Sequence, residues 1–432
     1  MSNLSLSPQV KIRYDDLVQT LRGDFEKIPD HRAANVVHQL PDVLMSAYAI
    51  FALKYPSLLC FEQQSMVEQE NLKALFGIKK ICSDAQMRRV LDELAPEYLD
   101  QLFSKRIQEL KSLGIQKQYR FLKKYYLCSI DGVRYFESRK VNCQRCQIVQ
   151  HQNGESSYHH AMLGAVLVHP NRREVFPLMS ETIQRQDGNN KNDSELGASK
   201  RLQDKLLECY QDLPLVIIED ALYANEPHLQ QILDHGREFI VGVKPTKHAA
   251  LFKQLEGRQK RGQAKKLTIE QGATTHHFGW TNNVPLNGNG NIRVNFLYYE
   301  EHKQNKVKRF SWVTSLKLRS GNVEEIMQGA RARWKIENET FNTLKNQGYH
   351  FEHNYGHGQN NLCNVLAKMM LLAFLLDQMV QAGNQLFNDI WIAAKAKKRV
   401  WERIRAIYIT RSIQSFKQLF IVLAQLYEVQ LE

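Results

Sequence analysis

The stretch Leu213-Pro-Leu-Val-Ile-Ile-Glu-Asp220 constrains the fold more than any other. An unbroken apolar, β-branched run ending in acids is the pattern of a strand covered on both faces. Helical periodicity over 194–210 and 226–235, on either side of it, supplies the covers. Upstream, 125–136 reads as an aromatic, β-branched strand carrying one acid, Asp131. Two further strands, 159–169 and 173–179, are separated by the hairpin signal Pro170-Asn171, and 238–244 is a fifth. Three strands as a meander followed by strand–helix units describe a mixed α/β sheet.

The flanks read differently. Residues 1–118 carry helical periodicity over 14–25, 40–53, 60–76, 83–94 and 96–113, with Ser83-Asp-Ala-Gln86 shaped like a capping box. Between 245 and 320 the chain turns polar and rich in Gly and Asn, with short β candidates at 266–270, 274–280, 292–300 and 309–315. The expectation is a helical region that is a candidate DNA binder (1–118), a catalytic domain (119–380) with an inserted β-rich subdomain (245–320), and a basic helical tail (381–432). The most apolar run, 362–380, is interrupted by Lys368 and Asp377 and reads as a buried helix rather than a membrane span.

Composition narrows the class. A hydrophobic share of 43% with 24% charged residues excludes a disordered chain. Fifty-eight Lys and Arg against 45 Asp and Glu, a formal charge of +13, favour a polyanionic partner, most simply nucleic acid. Seven scattered cysteines suit a reducing cytosol, and Met1-Ser-Asn-Leu-Ser-Leu-Ser-Pro reads as no signal peptide.

The acids carry the chemistry. In an open α/β sheet ligands gather outside the carboxyl ends of strands, where Asp220 stands. Asp131 follows Cys128-Ser-Ile in the first strand of the same sheet. Either alone is more often a strand-end turn residue. A third acid comes from the helix around 330–345. At 3.6 residues per turn, Trp334, Glu337, Phe341 and Leu344 share one face, and Lys335, Asn338, Glu339, Asn342 and Asn346 the other. Glu337 then lies in an apolar stripe with Arg333 and Lys345 near its edges. The plain alternative is an Arg333–Glu337 pair at i, i+4 on an amphipathic helix. Three carboxylates drawn from two strands and a helix can hold two divalent ions roughly 3.5–4 Å apart over a phosphodiester.

These residues resemble a known family. Arg333-Trp-Lys-Ile-Glu337 fits the Arg-x3-Glu part of the signature Tyr-x2-Arg-x3-Glu-x6-Lys of bacterial insertion-sequence transposases of the DDE class. Ser129-Ile-Asp131-Gly and Ile217-Ile-Glu-Asp220-Ala are similar to that family's first two acid-bearing strands, and the likeness runs from about residue 30 to 380. Two departures stand out: Ala330 replaces the signature Tyr, and Lys345 comes one residue late. The resemblance implies an RNase H-like core in which Asp131, Asp220 and Glu337 bind two Mg²⁺ or Mn²⁺ ions. It implies cleavage at transposon ends followed by strand transfer into target DNA, by a homodimer in the bacterial cytoplasm, with no membrane partner. Alternatives are a transposase-derived DNA-binding protein that has lost strand transfer, and a nuclease on the same core.

Weaker signals remain. Arg88 and Arg89, with Lys79 and Lys80 nearby, could meet phosphates, as could His353 and His357 in the loop after the Glu337 helix. Solvated faces and a capped loop account for both equally well. Cys143-x2-Cys146, with His151 and His159-His160 beyond it, supplies only half a zinc site by itself, so no structural zinc is expected.

Overall fold

The structure is a computed structural model describing residues 12–430 apart from 34, 66–67, 186–191, 288–289 and 305, so the N-terminal octapeptide lies outside the described residues. Six helices open the chain: α1 (Tyr14–Phe25), α2 (Leu40–Ala52), α3 (Leu58–Ser65), α4 (Gln69–Phe76), α5 (Asp84–Asp92) and α6 (Glu97–Ser112). The single helix expected over 60–76 is two, α3 and α4. The capping expectation at Ser83 holds, its hydroxyl accepting from the Gln86 N–H at 3.3 Å.

The sheet begins with the short β1 (Arg120–Phe121) and β2 (Tyr125–Ser138), then β3 (Gln147–Gln150), β4 (Ser156–Val168) and β5 (Phe176–Ile183). After α7 (Glu195–Cys209) come β6 (Leu215–Glu219), α8 (Glu226–Asp234) and β7 (Glu238–Gly242). β2 pairs antiparallel with β4, β4 with β5, and β2 parallel with β6, which pairs parallel with β7. The spatial order β5-β4-β2-β6-β7, three antiparallel strands followed by two parallel ones, is an RNase H-like core. Every residue of β6 is buried, as its apolar run Leu215–Ile218 between two helical layers requires, with the closing Glu219 bound to His228.

The β-rich segment does not stand apart. After α9 (Ala249–Lys260), β8 (Lys265–Gln271), β9 (Thr274–Pro285), β10 (Arg293–Lys303) and β11 (Lys306–Thr314) form a meander. β11 pairs with β7 through Trp312–Gly242 and Thr314–Ile240, so one 11-stranded sheet runs through both parts.

The remaining helices are α10 (Val323–Arg331), α11 (Asn342–Asn346), α12 (Leu362–Gly383), α13 (Gln385–Ala394), α14 (Lys397–Thr410) and α15 (Phe416–Leu426). Among the described residues α12 is the one helix long and apolar enough to cross a membrane, and its apolar window is wholly buried. Its charges are answered internally: Lys368 pairs with Asp100, and Asp377 with Lys54 at 2.8 Å. The C-terminal helices lie against the N-terminal ones. The Asn71 side chain bonds the carbonyls of Tyr408 and Arg411 and the N–H of Ile413, and Asp15 caps α15 through the N–H groups of Phe416 and Lys417. Val400, Trp401, Ile404 and Tyr408 are buried, leaving Lys398, Arg399 and Arg403 exposed, the disposition of a docked basic tail.

Candidate active site

The strand pairing brings two acids together. β2 and β6 run parallel with Ser129 opposite Ile218, so Asp131 and Asp220 stand two residues further on, at corresponding points of neighbouring strands. Adjacent strands are about 4.8 Å apart. Burial, and more weakly the Asp220 charge, raise the Asp131 pKa against the opposing pull of Arg333. Arg333 donates to Asp131 Oδ2 at 2.7 Å, and the Arg333 carbonyl accepts from Ser129 Oγ at 3.1 Å. The guanidinium thus occupies the position where a cation answers the acid pair. Asp220 is exposed, its Oδ1 accepting from the Leu222 N–H at 2.8 Å. Its neighbour Glu219 is buried and bound to His228 at 2.7 Å, away from the site as strand alternation requires.

A fourth carboxylate, missed in the sequence, adjoins the pair. Glu195 opens α7, whose N-cap Ser194 accepts from the Gly197 N–H at 3.0 Å. It reaches past Gly132, where a β-carbon would stand 2.8 Å from Glu195 Oε1, and accepts from the Tyr223 hydroxyl at 3.3 Å. Burial, then the charges of Asp131 and Asp220, raise its pKa. An acid in the first turn of a helix reads as a dipole partner, and that ordinary role hides it.

The helix carrying Glu337 departs from the even 3.6-residue wheel. From Ile336 to Phe341 it is a π-helix, with the Asn342 N–H bonded to the Glu337 carbonyl. Each i→i+5 turn takes one residue more than an α turn, so side chains beyond it rotate to new positions. The expected apolar face is therefore wrong. Ile336, Thr340, Phe341 and Leu344 are buried, whereas Trp334 and Glu337 are exposed. Lys335, expected outside, is buried and donates to the Arg172 carbonyl at 2.5 Å. Glu339 is half-buried against Lys397 at 3.4 Å. The π segment crosses the sheet where Asp131 pairs with Gly164: a β-carbon on Gly164 would lie 3.1 Å from Phe341 Cζ and 3.6 Å from Ile336 Cδ1. Glu337 thus rides on the helix that follows Arg333, the residue touching Asp131, with its own side chain toward solvent. Lys345 pairs with Glu352 at 2.7 Å.

The other candidates scatter. Arg88 is half-buried, paired with Asp84 at 3.2 Å, and its guanidinium lies 2.7 Å from where a Gly356 β-carbon would be. Arg89 and His353 are exposed. His357 is not a DNA-facing residue: it is buried, with Nε2 3.4 Å from Cys146 Sγ. Its loop is pinned by Asp92, whose carboxylate accepts the N–H groups of Gln359, Asn360, Asn361 and Leu362. Gly358 allows this by adopting φ +68, with no side chain where Asp92 Oδ1 would lie 2.2 Å from a β-carbon. Gly358→Ala is expected to lower stability by about 1–3 kcal/mol in urea unfolding. A change within about 0.3 kcal/mol would show that the loop is not held this way.

The RNase H-like sheet thus brings Asp131 of β2 and Asp220, just past the end of β6, side by side. Residues 145–375 match the family model described as Transposase DDE domain, and the chain belongs to the DDE transposase family. No curated protein matches the chain. Among solved structures, a cryo-electron-microscopy structure of the piggyBac transposase synaptic complex with hairpin DNA is similar over 96% of this chain and 76% of that one, at 11% identity and a TM-score of 0.39.

Proposed function

We propose that this transposase cleaves DNA at the ends of its own element and joins the freed 3′ ends to target DNA, using Asp131, Asp220 and Glu337. The observation that carries this reading is the side-by-side placement of Asp131 and Asp220 with an arginine seated on the first. DDE transposases generally use divalent metal ions, and the acid pair suits one: hard oxygen donors, mutually repelling, partly desolvated. A divalent ion held by Asp131 and Asp220 would supply Lewis acidity toward the phosphate and the attacking oxygen.

The chain's own residues do the rest. Arg333 pairs with Asp131 and is placed to turn to a phosphate oxygen, where its fork binds in two places. Glu337, exposed on the helix that follows Arg333, is the third carboxylate, and Glu195 adds negative charge from the far side of Gly132. Trp334, 44% exposed beside Glu337, offers an aromatic face for an unpaired base at a cut end. Lys345 and the outward cations of α14 extend a basic track for the backbone. In this reading residues 1–118 and 381–432 bind DNA around the catalytic part (119–380), and two chains hold the two element ends.

The test uses purified full-length chain with Mg²⁺ and a plasmid carrying the repeats that flank its gene. The expected products are nicks at the repeat ends and joined donor–target molecules, both absent for Asp131→Asn. Nicking without joining would favour a nuclease, and end binding without nicking a DNA-binding protein.

A further inference from the structure

Cys143, Cys146, His160 and His357 converge into a second site, separate from the acids. Among the described residues this is the one group of three or more His, Cys, Asp or Glu side chains whose ligand atoms all lie within 4.8 Å of one another. Cys143 Sγ is 3.8 Å from Cys146 Sγ and 3.4 Å from His160 Nε2. Cys146 Sγ is 3.4 Å from His160 Nε2 and 3.4 Å from His357 Nε2. Zn–S bonds of about 2.3 Å and Zn–N bonds of about 2.0–2.1 Å at tetrahedral angles put sulfurs about 3.8 Å apart and sulfur and nitrogen about 3.6 Å apart. These four distances match tetrahedron edges, and the four ligand atoms as a set lie within 4.8 Å of one another.

Neither a disulfide nor thiol hydrogen bonding accounts for this geometry. A disulfide needs sulfurs about 2.05 Å apart, well short of the observed separation. His160 Nε2 lies 3.4 Å from both sulfurs, and its single lone pair or N–H directs a full hydrogen bond at only one of them. Both imidazoles aim Nε2 inward, and their buried Nδ1 atoms have no partner among the described residues. Phe136 closes the site, its ring 4.5 Å from that of His357 and 5.7 Å from that of His160. Two thiolates and two imidazoles, all buried but the half-buried Cys143, are a soft, four-coordinate donor set, which selects zinc over the hard ions suited to carboxylates.

We propose that Cys143, Cys146, His160 and His357 bind a structural Zn²⁺ ion that fastens the loop after the Glu337 helix to the central sheet. Cys143 and Cys146 lie on the connector between β2 and β3, and His160 lies on β4. His357 stands 211 residues from Cys146 in sequence, in the loop leading into α12. The ion closes a long chain segment and is linked to folding. It also fixes the far end of the segment whose near end carries Arg333 and Glu337. The two histidines closer in sequence are otherwise engaged: Ser157 Oγ lies 2.8 Å from His151 Nε2 and 2.7 Å from His159 Nε2.

The experiment measures metal in untagged full-length chain, purified under reducing conditions and desalted, by inductively coupled plasma mass spectrometry. About one zinc per chain is expected, falling below about a tenth of that in His357→Ala and in Cys146→Ser, and unchanged in His151→Ala and His159→Ala. Should either ligand variant fail to fold, wild-type chain treated with a mercurial is the second measurement. It is expected to release about one zinc per chain to a chromogenic chelator and to lose roughly 5 °C or more in Tm. Zinc-free chain whose Tm does not rise with equimolar Zn²⁺, or zinc retained by a folded His357→Ala chain, would overturn the assignment. Mg²⁺-dependent DNA cleavage enters none of these readouts, so the zinc site stands or falls independently of the catalytic reading.

Discussion

Asp220→Asn is expected to abolish DNA cleavage, by roughly a thousandfold or more, about 4 kcal/mol in the barrier, while binding of element ends stays the same or tightens. The reason lies in charge. Asp220 is exposed beside Asp131, and where the phosphodiester lies a bare carboxylate repels it unless a cation intervenes. Removing the carboxylate removes a metal ligand and one repulsive charge together, so chemistry and binding move in opposite directions. A gel-shift titration beside a Mg²⁺ cleavage time course separates them. Parallel loss of both would mean that Asp220 holds up the fold and does not serve the reaction.

The same pair of assays decides which carboxylate is third. Glu337→Gln is expected to match Asp220→Asn, and Glu195→Gln to keep most of the cleavage. The reverse ranking would move the third acid to the start of α7, where Glu195 already adjoins both aspartates.

The second large effect is structural. Asp377→Ala is expected to cost about 3–5 kcal/mol of unfolding free energy. Lys54 and Asp377 are each 3% exposed and bonded at 2.8 Å. Asp377 also accepts from the Tyr349 hydroxyl at 2.5 Å and the Tyr14 hydroxyl at 3.2 Å. The Lys54 ammonium lies over the rings of Tyr349 and Trp401 at 4.0 and 3.9 Å. Deleting the carboxylate leaves a buried ammonium with no counter-charge, and desolvation makes that costly. The double change Lys54→Met with Asp377→Leu removes both charges and is expected to recover most of the loss. Urea denaturation of the single and double variants measures this, and a loss under about 1 kcal/mol in the single variant would show that water reaches Lys54.

Where a short run of residues has one physical solution, the sequence is readable. The apolar run of β6, Leu215 to Ile218, fits only a covered central strand, and its parallel pairing with β2 follows from the helices around it. Asp131 and Asp220 are legible because an acid after three buried residues has no packing purpose. The Glu337 face misleads because periodicity assumes one helical pitch, and a π turn carries no compositional mark. The β-rich segment reads as an insertion because β8 and much of β9 are polar and half exposed, and its junction with β7 is made by only three pairs, Trp312 to Thr314. His357 passes for a DNA contact because its partners are remote in sequence. Only folding reveals that the loop histidine and the CxxC pair meet.

The contact between the two ends of the chain bears on how the protein is made. Helices α1 to α4 emerge from the ribosome first, yet Tyr14 needs Phe416, 4.3 Å away ring to ring, and Asn71 needs the carbonyls of Tyr408 and Arg411. The part of their apolar surface that faces α14 and α15 stays uncovered until almost the whole polypeptide has been synthesised. Chaperone demand should therefore peak late in translation, and a stop codon placed before α14 should yield inclusion bodies rather than a shorter working protein.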